Sequence, residues 1–190
     1  MIKSLKELYD ALDDLFFDIS NVCKNCKYDD CAGYIWLLQQ EVSVLMKAGV
    51  EILQVNDISN FVNPFQGKEN IDIEQVKPKC PWYKNRRCTV RSNRPLVCRM
   101  YPLNFATEGD NIYLVLHMDC DYSLNNQFNE EFHKRAIALF GNITDGFFAK
   151  ILKTYILVDG ITKFPDGPNN YKKLIKVNRL KSNLEKGGEL

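Results

Sequence analysis

The sequence predicts a small α+β single domain, mainly helical, with a few short strands and with loops organised by a metal. Three observations predict it: apolar residues at helical spacing near both ends, one central run rich in β-branched and aromatic residues, and cysteines gathered in two short windows. With 190 residues, 45% of them hydrophobic and 26% charged, the chain is long enough for one well-buried core and short for two.

The elements follow in order. In residues 3–19, Leu5, Leu8, Leu12, Leu15, Phe16 and Ile19 recur every three or four positions, the stripe of an amphipathic helix that would deliver Cys23 at its C-terminal end. CKNCKYDDC, residues 23–31, is polar and short enough to wrap backbone around an ion, and AGYIWLLQ, residues 32–39, reads as a short buried strand. EVSVLMKAGVEI, residues 41–52, predicts a short helix broken near Gly49, whereas residues 56–77, with Pro64 and Gly67, read as irregular with short extended pieces. CTVRSNRPLVC, residues 88–98, predicts a strand and then a turn at Arg94-Pro95, because proline pushes the residue before it out of the helical region. NIYLVLHM, residues 111–118, is the clearest strand. Between residues 126 and 157, spacings such as Phe128 to Phe132 and Phe147 to Ile151 predict two helices joined near Gly141. The last twenty residues, with Lys172, Lys173, Lys176, Arg179, Lys181 and Lys186, read as a basic helix or frayed tail. Residues 1–165 are thus expected to form the cysteine-bearing domain with its C-terminal helices, and 166–190 a basic tail or terminal helix.

The cysteines carry the chemistry. Cys23, Cys26 and Cys31 form one group, Cys80, Cys88 and Cys98 a second, and Cys120 stands alone. The N-terminal segment is charged throughout and lacks the uninterrupted apolar core of a signal peptide, and no later run reaches the ~20 apolar residues that span a bilayer. A cytoplasmic protein with no membrane partner is expected, and in that compartment thiols stay reduced. Seven is also an odd number, so complete internal pairing would leave one thiol over. Metal coordination or redox chemistry remains for the set. An isolated thiol such as Cys120 can equally serve as a small buried apolar residue, but Cys-x2-Cys followed by x4-Cys is ligand spacing.

Charge placement supports a metal. Formal net charge is only +1, yet between Lys77 and Arg99 there are eight Lys or Arg residues and no Asp or Glu. A four-thiolate site carries net negative charge, which nearby guanidinium groups offset. Arg94 and Arg99, flanking Cys98, are the candidate cofactor-binding residues, whereas Lys77, Lys79 and Lys84 fit a solvated loop equally well. Nucleic-acid contact, for which Trp82 and Tyr83 are suitable neighbours, ranks third because no nucleic-acid fold signature accompanies the charge. The two histidines do not fall at ligand spacing; His117, three residues before Cys120, is a minor metal candidate, and His133 reads as a helix-surface residue.

CTVRSNRPLVCRMYP, residues 88–102, resembles the signature of the YkgJ-like cysteine-cluster proteins, a family of zinc- or iron-chelating domains, in which Arg-Pro and Cys-Arg stand at these spacings. Cys23, Cys26 and Cys31 with the following residues 33–38 resemble the family's opening cluster, and Cys80 and Cys120 fall where it supplies further cysteines. Arg91 replaces a tyrosine, and Cys31-Ala32 replaces an adjacent cysteine pair. The resemblance spans residues 20–122 and implies a metal site. Similar cysteine patterns occur in flagellin lysine methylases, but this chain shows no glycine-rich cofactor loop.

Two functions are therefore expected in order. The first is an iron-sulfur protein, most simply 4Fe-4S, acting in redox chemistry, maturation or modification of a protein or peptide partner, since seven thiols exceed the four that a structural zinc needs. The second is a structural zinc module that presents its C-terminal helices to a partner. A thiol redox enzyme using Cys23 and Cys26 comes third, for want of a β-α-β setting. Cys23, Cys26, Cys31 and Cys98 are expected to share one site, with Cys80, Cys88 and Cys120 forming a second or completing the first.

Overall fold

The computed structural model describes residues 1–23, 35–55, 59–62, 80–85, 87–159 and 170–177, and these form an α+β arrangement of short helices around small antiparallel sheets. Cys26, Cys31, Lys77, Lys79, Arg86, Arg179, Lys181, Lys186 and most of the segment 56–77 lie outside the described residues.

Helix α1, Leu5–Leu15, begins at Ser4, whose Oγ accepts from the Glu7 N–H, and it buries Leu8, Leu12 and Leu15. The expected helix over 3–19 is in fact two. The chain turns at Phe16–Asp18 and resumes as α2, Ile19–Cys23, with Phe16 facing the core and Phe17 74% exposed.

Strand β1, Trp36–Leu37, leads into helix α3, Gln39–Lys47. The helix ends at Gly49, where φ of +79° suits a residue without Cβ, and the Val50 N–H returns to the Leu45 carbonyl at 2.9 Å. Strands β2, Ile52–Val55, and β3, Ser59–Val62, complete a three-stranded sheet in the order β1-β3-β2. Strands β4, Tyr83–Lys84, and β5, Arg87–Cys88, form a small hairpin that turns through Asn85 at φ +50°. A 3₁₀ turn, Arg91–Asn93, and helix α4, Leu96–Met100, follow, and the Tyr101–Pro102 peptide is cis. Arg94 before the proline is extended, as expected, but the helix after it was not foreseen.

Strands β6, Leu103–Glu108, and β7, Asn111–His117, pair in register across Gly109, at φ +54°. Helices α5, Asp121–Asn126, α6, Glu130–Gly141, and α7, Asp145–Asp159, come next, with the last two meeting near Gly141 as the periodicity predicts. The final described element corrects the expected basic helix or tail. Tyr171–Lys176 is a strand, β8, which pairs with β7 at the sheet edge. Its Leu174 and the following Val177 pack against the core, while Lys173 reaches Glu108 at 2.6 Å, so the lysines decorate an edge strand and discourage further pairing.

One large hydrophobic core draws on α1, α4, the β6-β7 sheet, α6 and α7, with an aromatic group around Phe105, Phe140, Phe148 and Tyr155. A second, smaller cluster of Leu37, Leu45, Val50 and Val62 lies under α3 and its sheet, with Trp82 packed against it. That smaller cluster borders the site.

Candidate metal centre

Three of the seven cysteines converge. Cys80, Cys88 and Cys98 line one cavity of about 20 Å³, together with Trp82, Arg94 and Pro95, and its floor is formed by the smaller apolar cluster. Two separate segments supply the thiols. The β4–β5 hairpin carries Cys80 and Cys88, because Tyr83 pairs with Cys88, the Tyr83 N–H donates to the Cys80 carbonyl at 3.1 Å, and the Thr89 N–H donates to the Trp82 carbonyl at 2.8 Å. Helix α4 carries Cys98 in its first turn, set by Pro95, whose carbonyl accepts from the Cys98 and Arg99 N–H groups at 3.0 Å each.

Without a bound cation, the electrostatics of the cavity favour the neutral thiol at Cys80. Burial raises the Cys80 thiol above its ordinary range, and the neighbouring Cys88 raises it further. The backbone N–H groups of Trp82 and Tyr83 pull the other way. Arg94 lies in the lining with its guanidinium pushed below its ordinary value, first by burial and then by Arg91 and Arg99, against the favourable influence of Asp13 and Cys98. Arg94 Nε and Trp82 Nε1 are both buried and neither has a hydrogen-bond partner among the described residues. Both residues line the cavity with the three thiols, and no three of the described His, Cys, Asp and Glu residues stand close enough together to hold an ion.

Arg99 occupies a different place from Arg94. Its Nε donates to the Arg94 carbonyl at 2.9 Å, one terminal nitrogen donates to the Ser92 carbonyl at 2.7 Å, the other pairs with Asp13, and its carbon centre lies 4.3 Å from the centre of the Tyr9 ring. It is buried and outside the cavity lining, so it braces the turn around Cys98 from behind. Two further residues of this brace carried no signal in the cysteine pattern. Tyr9 donates its hydroxyl to Glu41, and Glu41, only 3% exposed, accepts the Leu38 and Leu96 N–H groups at 2.7 and 2.5 Å. A glutamate in the first turn of an apolar-striped helix ordinarily signals a cap, which is half of what Glu41 does.

The other expected ligands separate from this group. Cys120 is 4% exposed within the large core, before α5, and does not line the cavity. Cys80 and Cys88 thus share the cavity with Cys98, whereas Cys120, expected beside them, lies in the large core. Cys23 is exposed at the end of α2, which packs on α5. His117 lies on β7 with its ring 5.9 Å from that of Tyr101, and His133 is half-buried in α6. No described helix is long and apolar enough to cross a membrane. Comparison of the chain with protein-family models, with curated proteins and with solved structures finds no match.

Proposed function

We propose that this chain is a metal-binding protein whose centre is built on Cys80, Cys88 and Cys98. One observation carries the reading: thiols from two separate segments line a single cavity whose lining includes Trp82 and Arg94, each with a buried N–H that has no partner among the described residues. Remaining ligands would come from the N-terminal group, of which Cys26 and Cys31 lie outside the described residues. The resemblance to the YkgJ-like cysteine-cluster family supports the same assignment.

An iron-sulfur cluster, 4Fe-4S, is the first reading of the cofactor. Its irons can take thiolates that converge from separate segments, and Trp82 and Arg94 line the cavity with N–H groups of the kind that commonly stabilise cluster sulfur. Such a centre supplies one-electron chemistry, in service of redox, maturation or modification of a protein or peptide. A structural zinc ion is the second reading, favoured by the size of the cavity, since about 20 Å³ admits little more than a water-sized guest. Purification without oxygen separates them. Brown protein containing iron and acid-labile sulfide supports the cluster, colourless protein with one equivalent of zinc supports the second reading, and protein that binds neither under reducing conditions refutes both.

A further inference from the structure

We infer that Glu41 is the positioning residue for Cys98: from a different helix it caps the N-terminus of α4, the helix that presents this thiol. The inference deepens the thiolate-centre reading but stands on its own geometry. Pro95, at the N-cap of α4, makes no side-chain cap, so the first turn lacks its usual acceptor. Glu41 fills that role across the fold, its Oε1 accepting from the Leu96 N–H at 2.5 Å. Its Oε2 accepts from the Leu38 N–H at 2.7 Å, which fixes the carboxylate at the start of α3. The Tyr9 hydroxyl, donating to the same Oε1 as Leu96, ties both helices to α1, and the Arg99 guanidinium over the Tyr9 ring closes the circuit back to α4.

Such a buried acceptor with three donors has few alternatives. A glutamine in its place keeps the volume but offers one acceptor oxygen for three donors, leaving at least one buried N–H or O–H unpaired. Cys98, two residues after Leu96, sits on the turn whose cap is then weakened, because an amide oxygen at the Oε1 position serves the Leu96 N–H and the Tyr9 hydroxyl less strongly than a carboxylate does and the amide nitrogen faces the Leu38 N–H. The consequence is centred on the first turn of α4 at the cavity wall, although Leu38 and Leu96 are members of the large core and Tyr9 packs against it.

The test follows the thiols residue by residue. Full-length wild type, Glu41→Gln and Tyr9→Phe, as purified and again after chelation, are treated with iodoacetamide, and alkylation of Cys98 and Cys120 is timed by peptide mass spectrometry. Cys120, in the large core, reports global loosening. After chelation, Cys98 should react roughly tenfold faster in Glu41→Gln, and by a smaller factor in Tyr9→Phe, with Cys120 unchanged. Unaltered Cys98 rates in both variants overturn the inference, as does equal acceleration of Cys98 and Cys120. Should Glu41→Gln not fold, Tyr9→Phe decides alone. A wild-type protein that holds no metal would refute the proposed function and leave this outcome intact, because the rates are read on the thiols themselves.

Discussion

Replacing Arg99 by alanine should unfold much of the brace behind the cavity, and the cost can be worked from its contacts. Two carbonyls, those of Ser92 and Arg94, lose a charged donor, at 2.7 and 2.9 Å respectively. Each such loss is worth ~1.5–3 kcal/mol where the groups are buried and less here, since Ser92 is exposed and Arg94 half-buried. The ion pair with Asp13 adds less, because Asp13 is 50% exposed and water screens it, so ~0–1 kcal/mol is appropriate. Stacking over Tyr9 adds ~0.5–2 kcal/mol. These terms share one side chain and do not add in full, so ~3–5 kcal/mol is expected for Arg99→Ala, a large share of the ~5–15 kcal/mol that holds a domain together. Arg99→Lys retains a charge for Asp13 but cannot fork across both carbonyls, and should recover less than half. Urea unfolding followed by circular dichroism, with the slope checked for constancy, gives both numbers. A change within ~0.5 kcal/mol for Arg99→Ala would refute the brace and return Arg99 to the surface class of side chains.

Further outcomes follow from the same geometry. Trp82→Phe keeps the packing against Val62 and Leu45 but removes the Nε1 donor; metal should still load yet be lost faster to a chelator or to air, and identical loss rates would remove Trp82 from the site. Cys120→Ala should leave metal content unchanged and cost ~1 kcal/mol of stability or less, whereas loss of metal in this variant would show that the core thiol is a ligand after all. Burial, the largest influence, raises the Glu41 carboxyl above its ordinary value of 4.5, against the opposing hydrogen bonds and Arg99. Its contribution to stability is therefore complete below that value and declines as pH rises through the raised folded value. The stability of wild type relative to Glu41→Gln should then fall with rising pH above 4.5 and level off, and a difference that grows with pH would contradict the assignment.

The parts of the fold that sequence made legible are those with a strong local period. The stripe of α1, the β-branched run of β7 and the aromatic spacings of α6 and α7 match packed faces, except at Phe128, which precedes α6 and is 84% exposed. Strand β6 escaped notice although Leu103 and Phe105 alternate inward and Gly109 marks the turn, because its hairpin partner was read alone. β8 was misread since lysines dominate its composition; only pairing with β7 shows that Leu174 faces the core. For the site, the cysteine spacing marks two windows, Cys23 to Cys31 and Cys80 to Cys98, but not that Cys80, Cys88 and Cys98 line one cavity. That depends on where the Arg-Pro turn aims α4, a tertiary matter settled by Arg99, Tyr9 and Glu41. Arg94 and Arg99 look equivalent in sequence; in space both pair with Asp13, at 3.5 and 2.5 Å, while Arg94 alone also lines the cavity and Arg99 alone holds the Ser92 and Arg94 carbonyls.

The central claim is that sulfur from Cys80, Cys88 and Cys98 holds a metal, and X-ray absorption at the metal edge tests it most directly. Protein prepared without oxygen should show a first shell dominated by sulfur, at ~2.3 Å, with the sulfur count reduced or the metal lost in Cys98→Ser and unchanged in Cys120→Ala. A shell of nitrogen and oxygen alone, or a sulfur shell indifferent to Cys98→Ser, would contradict the account.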